Sequence, residues 1–177
     1  AGGACAIDRP AAEGMSGPAG DAEEGRLVEI VIDESAAVRR SPEVAHERRV
    51  AIHDLIEQNS FRLVQGPPGP YRLRLRMEEN RLIFEITSGQ VGEPERVALP
   101  VQPFRRIIKD YFLVCETYYA AIKTAPPSKI EAIDMGRRGL HDEGSVMLGE
   151  RLADRIAIDH ATARRLFTLL CVLQIRG

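Results

Sequence analysis

Tyr71-Arg72-Leu73-Arg74-Leu75-Arg76-Met77, then Glu78-Glu79-Asn80, then Arg81-Leu82-Ile83-Phe84-Glu85-Ile86, is the stretch that decides the fold. Apolar and charged residues alternate with period two through the first run, the pattern of a strand with one face on a core and the other in water. Folding the stretch back at Glu79-Asn80 sets Met77 opposite Leu82, Leu75 opposite Phe84, Leu73 opposite Ile86, and Arg74 opposite Glu85. One register therefore joins apolar to apolar on one face and cation to anion on the other, and a slip of one residue would turn both faces over. An antiparallel hairpin on a core is predicted.

Working toward the N-terminus, Gly66-Pro67-Pro68-Gly69-Pro70 reads as a rigid turn and 61–64 as a short strand. A helix is expected over 42–59, since Ser41 can cap it and Pro42 suits the first helical position. Val44, Ala51, Ile52, Leu55 and Ile56 fall on one arc of that helix. The β-branched run at 27–33 is a further strand, bounded by Gly25 and Asp33-Glu34-Ser35. Toward the C-terminus, 88–92 loops back and 95–101 makes another strand. Gln102-Pro103 opens a helix in which Phe104, Ile107, Ile108, Tyr111, Cys115, Tyr118 and Ile122 recur at helical spacing. Ser128 with Glu131 reads as a capping box for a third helix, expected to weaken at Gly136, Gly139 and Gly144, with a separate helical stretch at 145–154. Residues 156–158 suit an edge strand, and Asp159 caps a last helix carrying Ala163, Leu166, Phe167, Leu170 and Leu173. The expected class is α+β, an antiparallel sheet of about four to five strands packed against about four to five helices in a single domain.

That domain is expected to span 26–177. Residues 1–25 are rich in Ala and Gly without periodicity, so they read as a disordered extension, and Met15 is a plausible natural start. With 24 basic and 26 acidic residues the formal net charge is −2, so no global field draws the molecule onto nucleic acid or an anionic membrane. Cys5, Cys115 and Cys171 are too few and too scattered for a disulfide framework or a two-cysteine metal clamp. No run of about 20 apolar residues is present and the first residues lack the basic start and apolar middle of a secretory signal, so a soluble, cytoplasmic protein is expected.

Chemistry concentrates at 134–144. On the wheel of the third helix, Ile130, Ile133 and Leu140 define an apolar arc, and Arg137 falls inside it. A guanidinium on a core-facing arc is costly unless a carboxylate, carbonyls or an anionic ligand satisfies its donors. Arg48 repeats the anomaly between Ile52 and Leu55 on the first helix. Arg48, Arg137 and Arg138 are thus expected to border a polar pocket with Asp134, His141 and Glu143 at its mouth, suited to a phosphate, a carboxylate or a partner's acidic side chain. The competing expectation is that the arginines make structural ion pairs or extend their heads to solvent. A second anion site is suggested by Arg105 and Arg106, two cations in a helical first turn whose dipole disfavours them, against the simpler reading of solvated surface charge.

Other patterns exclude more than they suggest. His46-Glu47-Arg48-Arg49-Val50 begins like the zinc-protease signature but has valine where the second histidine must stand. His46 and His53 are about 10 Å apart along a helix, too far for one ion without another element. Pro67-Pro68-Gly69-Pro70 formally fits a proline-rich ligand pattern, with a plain turn the simpler reading. Arg72, Arg74 and Arg76 offer a basic sheet face for RNA, with few aromatic platforms beside it, and pairing to acids across the strands explains part of that pattern. There is no phosphate loop, dinucleotide fingerprint, nucleophile elbow or paired-cysteine zinc site, and no cofactor or metal ion is expected.

The chain resembles the UPF 0262 family of short alphaproteobacterial proteins. The resemblance rests on Arg40-Ser41-Pro42-Glu43 with His46-Glu47-Arg48, Gly69-Pro70-Tyr71, and Pro103-Phe104-Arg105-Arg106-Ile107 with Lys109-Asp110-Tyr111-Phe112. It rests equally on Cys115-Glu116 with Tyr118-Tyr119, on the run from Ile130 through Asp134-Met135-Gly136-Arg137-Arg138-Gly139, and on Ala163-Arg164-Arg165-Leu166-Phe167-Thr168-Leu169. It covers the chain from about Leu27 onward and implies no activity, cofactor or catalytic residue. Asp142 stands where such proteins are expected to carry asparagine. The leading functional expectation is a non-enzymatic binding or regulatory module contacting a protein partner or small anionic ligand through an Arg/His pocket. Two alternatives remain: an enzyme acting on a phosphorylated or carboxylated metabolite with His141 as acid or base, and RNA binding through Arg72, Arg74 and Arg76.

Overall fold

A computed structural model describes residues 23–33, 41–89 and 92–174. The start-site and disorder expectations for the first residues fall almost wholly outside this range. The chain runs β1 (Leu27–Asp33), α1 (Pro42–Glu57), β2 (Phe61–Leu63), β3 (Tyr71–Glu78), β4 (Arg81–Ser88) and β5 (Glu95–Pro100). A single 3-10 turn (Gln102–Phe104) leads into α2 (Arg105–Thr124), α3 (Pro127–Leu152), β6 (Ile156–Ile158) and α4 (His160–Gln174).

The β3–β4 hairpin has the expected register: Met77 pairs with Leu82, Leu75 with Phe84, Leu73 with Ile86 and Arg74 with Glu85. Leu73, Leu75, Leu82, Phe84 and Ile86 are all buried and form the floor of the core with Val97 and Leu99 of β5. β1 lies on the other side of β3 and runs parallel to it, so the sheet order is β1-β3-β4-β5 with one parallel pairing in an otherwise antiparallel sheet. Parallel pairing requires a crossover between the strands, and α1 with β2 provides it. β6 extends no edge of this sheet. It pairs antiparallel with β2 in a separate two-stranded ribbon, Phe61 opposite Ile158 and Leu63 opposite Ile156.

The helices form the second layer, α2 packing on α3, α3 on α4 and α4 on α1. Leu55 of α1, Ile107 and Ile108 of α2, Leu148 and Leu152 of α3, and Leu166, Phe167, Leu169 and Leu170 of α4 share one core with the sheet. Ser41 caps α1, its hydroxyl accepting from the Val44 N–H at 3.3 Å, and Asp159 Oδ1 caps α4 through the Thr162 N–H at 2.9 Å. α1 stops at Glu57, where the backbone of Gln58 turns extended, and the Asn59 side chain secures that end. Its oxygen accepts from the Leu27 N–H at 2.7 Å, and its amide donates to the Leu27 carbonyl at 2.9 Å and the Leu55 carbonyl at 2.7 Å. The proline turn before β3 is pinned by the buried Tyr71 hydroxyl, which donates to the Pro67 carbonyl at 2.9 Å.

α3 departs from expectation in two ways. Ser128 forms no capping box, because the helix begins one residue earlier at Pro127 with Pro126 as its cap and no side-chain cap bond. Nor does the helix break: it is continuous over 26 residues through Gly136, Gly139 and Gly144. At Gly144 tertiary packing explains the residue choice, since an added Cβ would stand 2.2 Å from Phe167 Cζ. Among the described residues no helix is long and apolar enough to cross a membrane.

Candidate functional site: an arginine-lined cleft among the helices

α3 carries Arg137, Arg138 and His141 on one side toward α4, which presents Arg164, Arg165 and Thr168 at the same level. α1 adds Glu47, Val50, Ala51 and Asp54, and α2 adds Tyr111. Together these residues line a cleft of about 240 Å³. Arginine reaches such a position because its long apolar stem packs on the helices while the planar head lies at the surface.

Each guanidinium meets a carboxylate. Arg137 Nε and Nη2 both donate to Asp134 Oδ1, at 2.9 and 2.6 Å, and its head lies 5.2 Å from the centre of the Tyr118 ring. Arg138 Nη2 stands 2.7 Å from Asp134 Oδ2, so one carboxylate serves two arginines. Hydrogen bonds from Arg137 and then Arg138 hold the Asp134 carboxyl below the usual carboxylate range. Arg164 Nη1 donates to Asp142 Oδ1 at 2.7 Å, an oxygen that also meets His160 Nε2 at 2.8 Å, and Arg165 Nε lies 3.3 Å from Asp54. Asp142 is thus an ion-pair acceptor, a role in which the carboxylate adds charge that an amide would lack.

His141 lies between aromatic rings, its centroid 5.4 Å from that of Tyr111 and 5.2 Å from that of Phe167. The Thr168 hydroxyl donates to the Arg164 carbonyl at 3.2 Å, so it is free to accept from His141 Nε2–H at 2.8 Å. This assigns the proton to Nε2 and leaves Nδ1 as a buried acceptor with no hydrogen-bond partner among the described residues. Burial, reinforced by the Arg164 and Arg137 charges, pushes the ring's pKa down to about 4. A group that is neutral at pH 7, with one nitrogen engaged and the other enclosed, is poorly placed to pass protons to a substrate. Burial likewise raises the Tyr111 hydroxyl and the Cys115 and Cys171 thiols, so none of them is an activated nucleophile.

The structure therefore brings together Arg137, Arg138 and His141, with Asp134 as the clamp. Arg48 is half-buried and engaged within the molecule but does not line the cleft, where its neighbour Glu47 faces instead. Glu143 is exposed and lies outside the lining. Arg105 and Arg106 stand elsewhere, at the start of α2: Arg106 is 94% exposed with Asp110 3.9 Å away, while Arg105 donates to Asn80 Oδ1 at 2.6 Å. Sequence reading missed Arg164, Arg165, Thr168 and Tyr111. Arg164 and Thr168 are four residues apart along α4 beside its apolar stripe, a pairing that points to a site only once α3 is known to pack there.

On the basic sheet face each arginine has an acidic neighbour. Arg72 lies 3.3 Å from Glu29, Arg74 3.1 Å from Asp33, and Arg76 2.9 and 2.8 Å from Glu78 and Glu85. Among the described residues no cluster of three or more His, Cys, Asp or Glu side chains is arranged to hold a metal ion.

No solved structure matches the chain. Curated relatives do: it is 56% identical over 151 residues to a UPF0262 protein of Rhodospirillum rubrum, covering 85% of this chain and 93% of that protein. It is 54% identical over 152 residues to one of Rhizobium etli (86% and 96% covered) and 55% identical over 158 residues to one of Brucella canis (89% and 98%). The profile described as "Uncharacterised protein family (UPF0262)" matches residues 24–176, and the chain belongs to that family.

Proposed function

We propose that the protein is a non-enzymatic binding or regulatory module whose helical cleft holds an anionic group, a phosphate or carboxylate borne by a small ligand or by a partner's side chain. The observation that carries this reading is the charge of the cleft lining: Arg137, Arg138, Arg164 and Arg165 against Glu47 and Asp54. Because Asp134 divides its two oxygens between Arg137 and Arg138, the more exposed Arg138 keeps donors to offer an incoming oxyanion. A forked guanidinium pair suits such a group better than a point charge would. His141 contributes shape and a rigid wall rather than proton transfer.

Thermal unfolding with inorganic phosphate or citrate, against chloride at matched ionic strength, tests the reading. A ligand at about 100 times its dissociation constant stabilises by roughly 3 kcal/mol, a rise of about 5–10 °C for a protein of this size. Arg138→Gln combined with Arg165→Gln, both at the surface, should abolish that rise while leaving unliganded unfolding nearly unchanged. No rise, or an equal rise in the double variant, overturns the assignment.

A further inference from the structure

A second cavity, of about 430 Å³, lies on the far side of α2 and is lined by Arg105, Ile108, Lys109, Phe112, Leu113 and Glu116, with Gln174 of α4 closing one side. Its volume is in the range of small-molecule sites. Its wall divides by chemistry along the helix. Arg105 and Lys109, four residues apart on α2, form a cationic end, and the side chains of Ile108, Phe112 and Leu113 form an apolar floor. Leu113 is 61% exposed, a large side chain left in water beside the cavity.

The cations at this end are unlike those of the first cleft. There, every guanidinium is clamped by a carboxylate. Here, Arg105 donates to a neutral amide oxygen, Asn80 Oδ1, and among the described residues no carboxylate pairs with Arg105 or Lys109. Arg105 also stands in the first turn of α2, where the helix dipole disfavours a cation. An uncompensated pair of cations opening directly onto an apolar floor is complementary to a molecule with an anionic head and a hydrocarbon body. Glu116 stands beyond the floor, seven residues or about 10 Å past Lys109, where it would repel a second negative charge.

We propose that this cavity is a binding site for an amphipathic monoanion, a carboxylate carrying an unbranched hydrocarbon chain, with its head on Arg105 and Lys109 and its tail over Ile108, Phe112 and Leu113. The assignment is independent of the arginine-lined cleft.

Calorimetric titration of the full chain with decanoate, below its micelle concentration, tests it. Saturable binding is expected. Decanol, which lacks the charge, decanedioate, which meets Glu116, and acetate, which lacks the tail, should each bind at least about tenfold more weakly. Arg105→Gln with Lys109→Gln, and separately Leu113→Ser, alter exposed positions and should each weaken decanoate by a similar factor with unchanged circular dichroism. Arg138→Gln with Arg165→Gln should leave it unaffected. The proposal is overturned if decanoate does not bind, if decanol binds as tightly, if the Arg105/Lys109 variant binds normally, or if the Arg138/Arg165 variant is the one that loses binding.

Discussion

Arg137 and His141 lie one helical turn apart on α3 and solve the same difficulty in opposite ways. The guanidinium keeps its charge by taking Asp134 as a partner and the Tyr118 ring as a bed. The imidazole gives its charge up. A histidine in an unfolded chain titrates near about 6.5, whereas His141 in the fold titrates at about 4. Between those values the unfolded chain holds the proton and the folded chain does not, so falling pH favours unfolding. The stability gained by keeping this ring neutral is complete above about pH 6.5 and lost as pH falls toward and through about 4, a change on the order of 3 kcal/mol. Urea unfolding at pH 7 and pH 4.5 checks this: His141→Gln should lose markedly less stability on acidification than the parent. Parallel losses would show that another group titrates. Legibility at this scale was partial. An arginine on an apolar arc marks a polar site from sequence because helical periodicity alone exposes it. What the periodicity cannot show is Arg164 of α4 approaching from 27 residues away, or that Glu47 rather than Arg48 lines the cleft.

At the level of elements, alternation in β3 and β4 fixed the hairpin register residue by residue, because only one pairing places Leu73, Leu75 and Met77 against apolar partners. α3 was harder to read, since four glycines in 26 residues oppose a helix and only contacts outside the segment offset them. The glycines also differ among themselves. Around Gly136 and Gly139 an added Cβ would meet nothing within 4 Å, so Gly136→Ala and Gly139→Ala should each stabilise by about 0.5–1 kcal/mol through helix propensity and a less flexible unfolded chain. At Gly144 the same methyl would collide with the Phe167 ring, buried in the core, so Gly144→Ala should destabilise by about 1–3 kcal/mol despite the same propensity gain. Thermal unfolding of the three variants gives the signs directly. A stabilised Gly144→Ala would mean that Phe167 does not pack against α3 as described.

For the molecule as a whole, neither the parallel placement of β1 nor the β2–β6 ribbon could be read from local pattern, because a strand of alternating residues looks the same whichever neighbour it takes. Long-range hydrogen bonds make the choice, and they converge on two adjacent residues. Asn59 ties the end of α1 to Leu27 at the start of β1, and the Ser60 N–H donates at 2.9 Å to the hydroxyl of Thr162, which is fully buried in α4. The crossover, the ribbon and the last helix are therefore held through one short segment. Thr162→Val keeps the shape but leaves the Ser60 N–H without its acceptor and should cost about 1–3 kcal/mol. Asn59→Leu strands one donor and two carbonyls and should cost more, about 3 kcal/mol or above. If the segment acts as a single latch, the second substitution finds it already loosened, and the double variant should fall short of the summed costs by at least about 0.5 kcal/mol. Urea midpoints of the four proteins measure this coupling. Strict additivity would mean that α4 and β1 are anchored independently, with the core beneath them rather than this latch keeping β1 parallel to β3.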